Sequence, residues 1–441
     1  MKQNPESRSQ EMVALAAKRI AGWSGLLSKR ADQFSAGVWP GYFSKARGVE
    51  VWDLDSKSYV DMSIGGIGAT VLGYADPDVD AAVKDAIDSG IASSLNCPEA
   101  VELAELLCEI HPWAHKARFA RTGGEAMAIG VRIARAHTGR DKVAFCGYHG
   151  WHDWYLAANL TGDDALEDLL MPGLHPRGVP KTLSGTAFPF HYNRLDELEK
   201  IVTEHGSDLA AIIAEPIRGE PPVEGFFEGV GALAEKTGAV FVLDEISAGF
   251  RLCSGGAHLA LEIQPDMAVF SKAMGNGYPI AAVIGIGEIM DASNRTFISS
   301  TNWTERVGFA AALATIRKHH RCNAAEHLID MGQKVQDGWK HLGEKHSIPL
   351  GVTGIKPMGH FAFETDDPPA AKAFFIQEML DRGFLASNLF YAMYAHTDRN
   401  VSDYLRAADD VFAELASAIR AGDLSRRLKG KPSVAGFGRL T

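Results

Sequence analysis

Cysteine is scarce and unpatterned in this chain. The five residues Cys97, Cys108, Cys146, Cys253 and Cys322 are odd in number and scattered, and no two form a C-x-x-C pair. That excludes a disulfide framework and a zinc ribbon, and it suits buried thiols in a reducing cytoplasm. No apolar run reaches the roughly 18 residues of a membrane helix, so no span is expected. Long runs of one charge are also missing: the net charge of −11 is spread along the chain, which favours solubility and argues against a nucleic-acid surface. There is no internal repeat and no low-complexity block. The opening stretch MKQNPESRSQEMVALAAKRIAGW has no apolar core of leader length. It reads as an amphipathic surface helix with Met12, Leu15, Ala16 and Ile20 on one face.

What is present is length and apolar content. The 441 residues are 46% hydrophobic, enough for a large core and two or three domains. Short apolar runs alternate with helical patterns through the middle of the chain. ARFAR (117–121), KVAFC (142–146), LAAIIAE (209–215), AVFVLD (239–244), MAVF (267–270) and IAAVIGI (280–286) read as strands. The stretch after ARFAR repeats Ala126, Ile129, Ile133 and His137 at helical spacing. Near-continuous apolar strands separated by helices imply an α/β fold whose sheet is mostly parallel and buried on both faces. Residues 43–62 look like a hairpin of two segments around Asp55-Ser56. GHFAFE, the helix AAKAFFIQEMLDRG and a helix from about Ser402 to Ala421 suggest a smaller α+β domain built from both termini. The expected boundaries are 1–62 for its N-terminal part, 63–325 for the large domain, 326–427 for its C-terminal part and 428–441 for an extended tail.

Ligands in parallel sheets bind beyond the carboxyl ends of the strands. Thr122-Gly123-Gly124 follows the first strand and opens a helix. It is either a glycine turn with a Thr cap or a phosphate seat, since helix N-termini bind anions and glycine admits them closely. No GKS or GKT follows, so it is not a P-loop. GYHGWHDWYL (147–156) offers either a flat wall for a planar ring or a hydrophobic lid. His149 and His152 lack the carboxylate or cysteine pattern that would complete a metal site, so no metal is expected. Glu215, Arg218 and Glu220 lie past the next strand. Asp244 ends a buried strand and needs a cationic partner, for which Arg251 or another Arg is the plain candidate. Lys272 stands 28 residues further on, at the next strand end. A phosphate cradle, an aromatic plate, a buried carboxylate and a buried lysine together suit pyridoxal 5'-phosphate. Its phosphate would lie at Gly123 and Gly124, its ring on Tyr148, its pyridine nitrogen at Asp244 and its aldehyde at Lys272.

With these residues in hand, the chain resembles the class III, fold-type I pyridoxal-phosphate aminotransferases. Within them it is most similar to glutamate-1-semialdehyde aminomutase and its sugar-aminating relatives. TGGEAMAIGVRIARAHTGRDKV, YHG, AEPI, LDEISAGFR and FSKAMGNGYPIAA carry the resemblance over roughly residues 25–425. It implies that Lys272 is the Schiff-base lysine, that Asp244 pairs with the pyridine nitrogen and that Ile246 packs under the ring. Thr122, Gly123 and Gly124 match the phosphate turn, although the family's usual Thr is Gly124 here. Thr301 matches a residue that reaches the phosphate of a neighbouring subunit, which implies a homodimer with shared sites. Arg30, His149, Glu220 and Tyr391 are the candidate substrate residues. An Arg-poor pocket with Tyr and Glu suits a polyhydroxylated sugar better than a dicarboxylate. The implied reaction moves an amino group from a small-molecule donor, with glutamate expected, onto an aldehyde or keto carbon of a sugar or sugar acid, by a ping-pong course. The aminomutase reaction, another ω-aminotransferase, and a non-catalytic binding protein on the same fold are the alternatives. Neither nucleic acid nor membrane is an expected partner, and the expected location is cytoplasmic.

Overall fold

The computed structural model describes residues 7–162, 164–217 and 219–432. The chain forms two compact units. One is continuous, Pro77–Glu326. The other combines the described residues up to Asp76 with those from His327 onward.

The continuous unit is built on seven strands: β1 (Lys116–Ala120), β2 (Lys142–Cys146), β3 (Ala187–Pro189), β4 (Leu209–Ala214), β5 (Val240–Asp244), β6 (Met267–Phe270) and β7 (Ala281–Gly285). Their order is β1-β7-β6-β5-β4-β2-β3. The pairs β2-β3, β2-β4, β4-β5 and β5-β6 are parallel, and β7 runs antiparallel to both of its neighbours. The α/β expectation holds, with β3 as a strand that its three short residues did not reveal. Every residue of β4 to β7 is buried, as the unbroken apolar runs require.

The helix Gly123–Thr138 packs on this sheet. It starts at Thr122, whose hydroxyl accepts from Glu125 N in a capping box, and stops at Gly139, whose φ of +70° ends it in a left-handed turn. Its Ala126, Ile129 and Ile133 join Val143, Phe145, Val242, Val269 and Val283 in one core.

The other unit holds two sheets. Phe43–Arg47, Glu50–Asp53 and Ser58–Met62 form an antiparallel meander, and Phe384–Ala386 adds to it in parallel. The expected hairpin is therefore three strands. Gly48, at φ +61°, makes a second reversal that the Asp55-Ser56 turn alone does not predict. Leu350–Ile355, Met358–Phe363 and Leu389–Tyr391 form the second sheet, beside helices Pro368–Asp381 and Asp398–Ala421. Residues 63–76 cluster with this unit rather than with the large domain. The cause is local: Tyr74 and Gly48 exchange backbone hydrogen bonds, and the Tyr74 hydroxyl donates to Asp61.

One further expectation is met by a helix at the N-terminus and one is corrected. The N-terminal helix forms over Arg8–Arg19, but only Ala16 of its apolar stripe is buried. Met12, Leu15 and Ile20 stay exposed, in keeping with a surface helix. Of the five cysteines only Cys146 is fully buried; the others are partly exposed and all are free thiols. Most of the expected extended tail, 433–441, lies outside the described residues.

Candidate active site

Strand register brings the candidate groups of the continuous unit to one sheet edge. Cys146 pairs with Ala214, Ala214 with Leu243, and Asp244 with Val269. Across the antiparallel strand, Ala120 pairs with Ala281 and Ala282 with Phe270. The segments that follow these ends carry Gly123 and Gly124, Tyr148, Glu215, Asp244 and Lys272.

Lys272 has φ +41°, a left-handed conformation uncommon in a residue with a Cβ. Such backbone persists only where its surroundings over-determine it, and it concentrates at functional sites. The Lys272 Nζ donates to Ser247 Oγ at 2.7 Å. Burial pushes the amine below its ordinary value; the Asp244 and Glu215 carboxylates oppose the shift without cancelling it, and the Arg251 guanidinium adds to it. Ser247 was not foreseen. Its only signal is position, three residues beyond Asp244 in the turn that leaves the same strand.

Asp244 is almost fully buried. Its Oδ1 accepts from Ile246 N at 3.0 Å and its Oδ2 from His149 Nδ1 at 2.8 Å. Where an arginine was the plain candidate, the side-chain partner is a histidine. This also corrects His149 as a substrate residue. The ring is fully buried, and its Nε2 faces the Cys146 carbonyl at 3.2 Å. Both nitrogens are taken, so the ring orients Asp244 rather than meeting a substrate.

Gly147, at φ +125°, lets the aromatic loop leave β2: a Cβ there would lie 2.5 Å from Glu215 Oε2. The same oxygen accepts from Tyr148 N at 3.2 Å. Tyr148 stays 42% exposed and meets Tyr155 edge-on at 6.0 Å. Burial and the Asp244 and Glu215 charges push its phenol up, which keeps it neutral. Trp154 and Tyr155 are buried. The loop is therefore part lid, as the plainer reading holds, and part exposed plate.

At the helix start, Ile246 explains Gly123: a Cβ at Gly123 would lie 2.8 Å from Ile246 Cδ1. The Thr122 hydroxyl is engaged with Glu125, donating to Oε2 at 3.0 Å as well as capping the helix. Thr122 therefore serves the helix, and Gly123 and Gly124 supply the open backbone N–H groups.

The remaining candidates lie on other segments. Thr301 is exposed at the start of a short turn, Thr301–Thr304. Glu220 is exposed, and its Oε1 accepts from Asn193 Nδ2 at 3.2 Å. Arg218 lies outside the described residues. In the other unit, Tyr391 is half-buried at the end of its strand, its N–H bonded to Ser63 O. Arg30 is corrected as a substrate candidate. It is buried, forks onto Asp32 and stacks on Trp23, so its charge is already met.

Among the described residues no cluster of three or more His, Cys, Asp or Glu could hold a metal ion. What the edge offers is an amine of lowered basicity, an oriented carboxylate, an exposed aromatic plate and an open helix start.

Known proteins are similar to this chain in sequence and fold. A family model described as aminotransferase class-III matches residues 35–395. The chain is 32% identical over 383 residues to 2'-deamino-2'-hydroxyneamine transaminase of Streptomyces kanamyceticus, covering 85% of this chain and 92% of that protein. It is 31% identical over 403 residues to 3-aminobutyryl-CoA aminotransferase of Cloacimonas acidaminovorans (strain Evry), covering 88% and 92%. Among solved structures, the PLP form of the FumI protein of Sphingopyxis sp. MTA144 superposes with a TM-score of 0.85 at 25% identity, covering 97% of this chain and 99% of that one. A glutamate-1-semialdehyde-aminomutase of Pseudomonas aeruginosa PAO1 shares the fold, with a TM-score of 0.78 at 22% identity, covering 92% and 94%.

Proposed function

The chain belongs to the class-III aminotransferases, which depend on pyridoxal phosphate, and from that premise we propose that it transfers an amino group from glutamate to an aldehyde or keto carbon of a sugar or sugar acid. The observation that carries the site assignment is the placement of Asp244 at the end of β5 and of Lys272 just past the end of the adjacent parallel strand β6, on the sheet edge that also carries the helix start at Gly123. The residues fit the cofactor. Gly123 and Gly124 would hold its phosphate, Tyr148 and Ile246 its ring, Asp244 its pyridine nitrogen and Lys272 its aldehyde. When bound, pyridoxal phosphate supplies an electron sink next to the carbon that carries the amine.

The chain's own groups do the rest. Lys272, with basicity lowered by burial, takes a proton from the donor carbon and returns one at the acceptor. Ser247 holds the amine when it is free. His149 holds the Asp244 carboxylate in one orientation, so its remaining lone pairs meet the pyridine nitrogen. The amino group arrives from the donor in one half-reaction and leaves to the acceptor in the next.

The sugar acceptor is supported by the relative from S. kanamyceticus, which by its name acts on a 2'-deamino-2'-hydroxy compound. Arg30, already paired with Asp32, gives no arginine for a second carboxylate. A second reading, transfer at the 3-position of an acyl thioester, is favoured by the similarity to 3-aminobutyryl-CoA aminotransferase. One experiment separates them. Holoenzyme is charged with glutamate, 2-oxoglutarate release is measured, and keto and aldehyde sugars compete with a 3-oxoacyl thioester and glutamate-1-semialdehyde as acceptors. Amination of the thioester alone would sink the sugar reading, and no 2-oxoglutarate would sink glutamate as donor.

The homodimer with shared sites belongs to the same reading, since Thr301 is exposed and free to reach a partner subunit. Mixing Thr301→Ala with Lys272→Ala then leaves one site intact per mixed dimer and restores activity; no gain after confirmed subunit exchange removes the shared site. The cytoplasmic location is likewise part of this proposal. Among the described residues no helix is long and apolar enough to cross a membrane.

A further inference from the structure

Gly124 stands where the family's phosphate turn usually carries a hydroxyl residue, and this inference rests on that turn being the seat of the cofactor phosphate. Gly124 is the second residue of the sixteen-residue helix Gly123–Thr138. Helix side chains tilt toward the N-terminus. A Ser or Thr here would therefore aim its hydroxyl past the helix start, at an anion held by the first N–H groups.

An imidazole occupies that place. A Cβ at Gly124 would lie 3.2 Å from His152 Cδ2 and 3.4 Å from His152 Nε2, with Trp151 Nε1 at 3.5 Å. The His152 Nε2 is cut off from solvent and has no hydrogen-bond partner. A buried polar atom left so is costly and calls for an explanation. The Trp151 and His152 rings lie 4.5 Å apart at 31°, so the indole limits where the imidazole can go. Backbone geometry brings the loop this close. Gly150 has φ +99°, and a Cβ on it would lie 3.0 Å from Gly124 Cα. A side chain on Gly150 would lift the loop from the helix start, and one on Gly124 would press on His152. The missing hydroxyl and the orphan nitrogen are two halves of one exchange.

We propose that His152 replaces the hydroxyl of the phosphate turn, with its Nε2–H as the side-chain donor to the cofactor phosphate. The test uses cofactor-free protein and two probes, pyridoxal 5'-phosphate and pyridoxal, which lacks the phosphate. Dissociation constants are measured by equilibrium dialysis for wild type, His152→Ala, Gly124→Ser and the double variant. His152→Ala should weaken pyridoxal phosphate roughly 10- to 100-fold, the range for a lost hydrogen bond to a charged group, and leave pyridoxal unchanged. Gly124→Ser alone should bring no gain, because its Cβ crowds the imidazole. In the double variant the space is free, and the serine hydroxyl should recover most of the loss. Unchanged binding of pyridoxal phosphate by His152→Ala overturns the proposal, as does an equal loss for both probes, which would mark a structural role. A wild type that binds both probes equally well removes the phosphate turn itself, and that outcome is distinct from the other two.

Discussion

Asp244 and Glu245 are neighbours in sequence, and each holds a buried histidine, yet the two pairs differ in kind. Glu245 accepts from Ala257 N, His258 N and His258 Nδ1 at 2.7–2.9 Å. The far nitrogen of His258 accepts from Trp113 Nε1 at 3.1 Å. One ring nitrogen of His258 faces an acceptor and the other a donor. His149 donates from Nδ1 to Asp244, and its far nitrogen faces a carbonyl, which only accepts. Both ring nitrogens of His149 thus face acceptors, whereas the far nitrogen of His258 faces a donor. Five histidines are fully buried among the described residues. His111 and His396 repeat the partner pattern of His258, each with one nitrogen accepting a backbone N–H, and burial holds both at about 4. His319 faces a hydroxyl that can donate or accept. Only His149 is flanked by two pure acceptors. The same carboxylate–imidazole contact thus has a donor behind the ring at Glu245 and an acceptor behind it at Asp244. What separates them is the atom behind the ring.

The contrast should be widest in turnover. Lys272 shares its pocket with Asp244, and Lys272→Ala removes nucleophile and base together. Glutamate-dependent 2-oxoglutarate release should vanish while circular dichroism keeps the native spectrum; retained turnover would show that another lysine carries the chemistry. Asp244→Asn comes next, with a rate loss on the order of a hundredfold or more, since an amide cannot hold the pyridine nitrogen protonated. Glu245→Gln should do the reverse, keeping kcat and costing about 1.5–3 kcal/mol of unfolding free energy in denaturant titrations. Were Glu245→Gln the more damaging to rate, the two carboxylates would have to exchange roles.

A smaller effect sharpens the comparison through pH. The Lys272 amine sits below its ordinary value when folded. Between the folded and unfolded values the unfolded chain binds more protons, so stability rises with pH across that window. Below it, the desolvated charge is a constant penalty. In cofactor-free protein, Lys272→Met should therefore raise the Tm most below the folded amine's lowered value, and the gain should fade as pH approaches the amine's ordinary value. A gain that grows with pH would contradict this. The subtlest signal is spectroscopic. Proton NMR of 15N-histidine-labelled protein should show two protected ring N–H resonances for His149 and one for His258, each assigned by its Phe variant. One resonance for both would erase the distinction.

Much of this was legible in one dimension. The apolar runs that became β2 and β4 to β7 announce a buried, mostly parallel sheet, because a strand covered on both faces needs no alternation. Lys272, Asp244 and Gly123 were legible because each follows such a run, and residues after parallel strands share an edge whatever the order of those strands. Arg30 and His149 were misread because sequence shows a side chain's type but not whether its capacity is already used. Thr122 could be a cap or a phosphate ligand until Glu125 closed the capping box.

The sequence by itself determined the fold class, the family and the two groups with the strongest case for chemistry, since periodicity and strand-end position are properties of the chain alone. Tertiary structure alone decided the partners: His149 rather than an arginine behind Asp244, Ser247 on Lys272, and an imidazole in the space that Gly124 leaves open. These contacts join residues 25 to 95 positions apart or meet across a gap of a few ångströms. Hydrogen bonds depend on distance and angle, which no local pattern encodes.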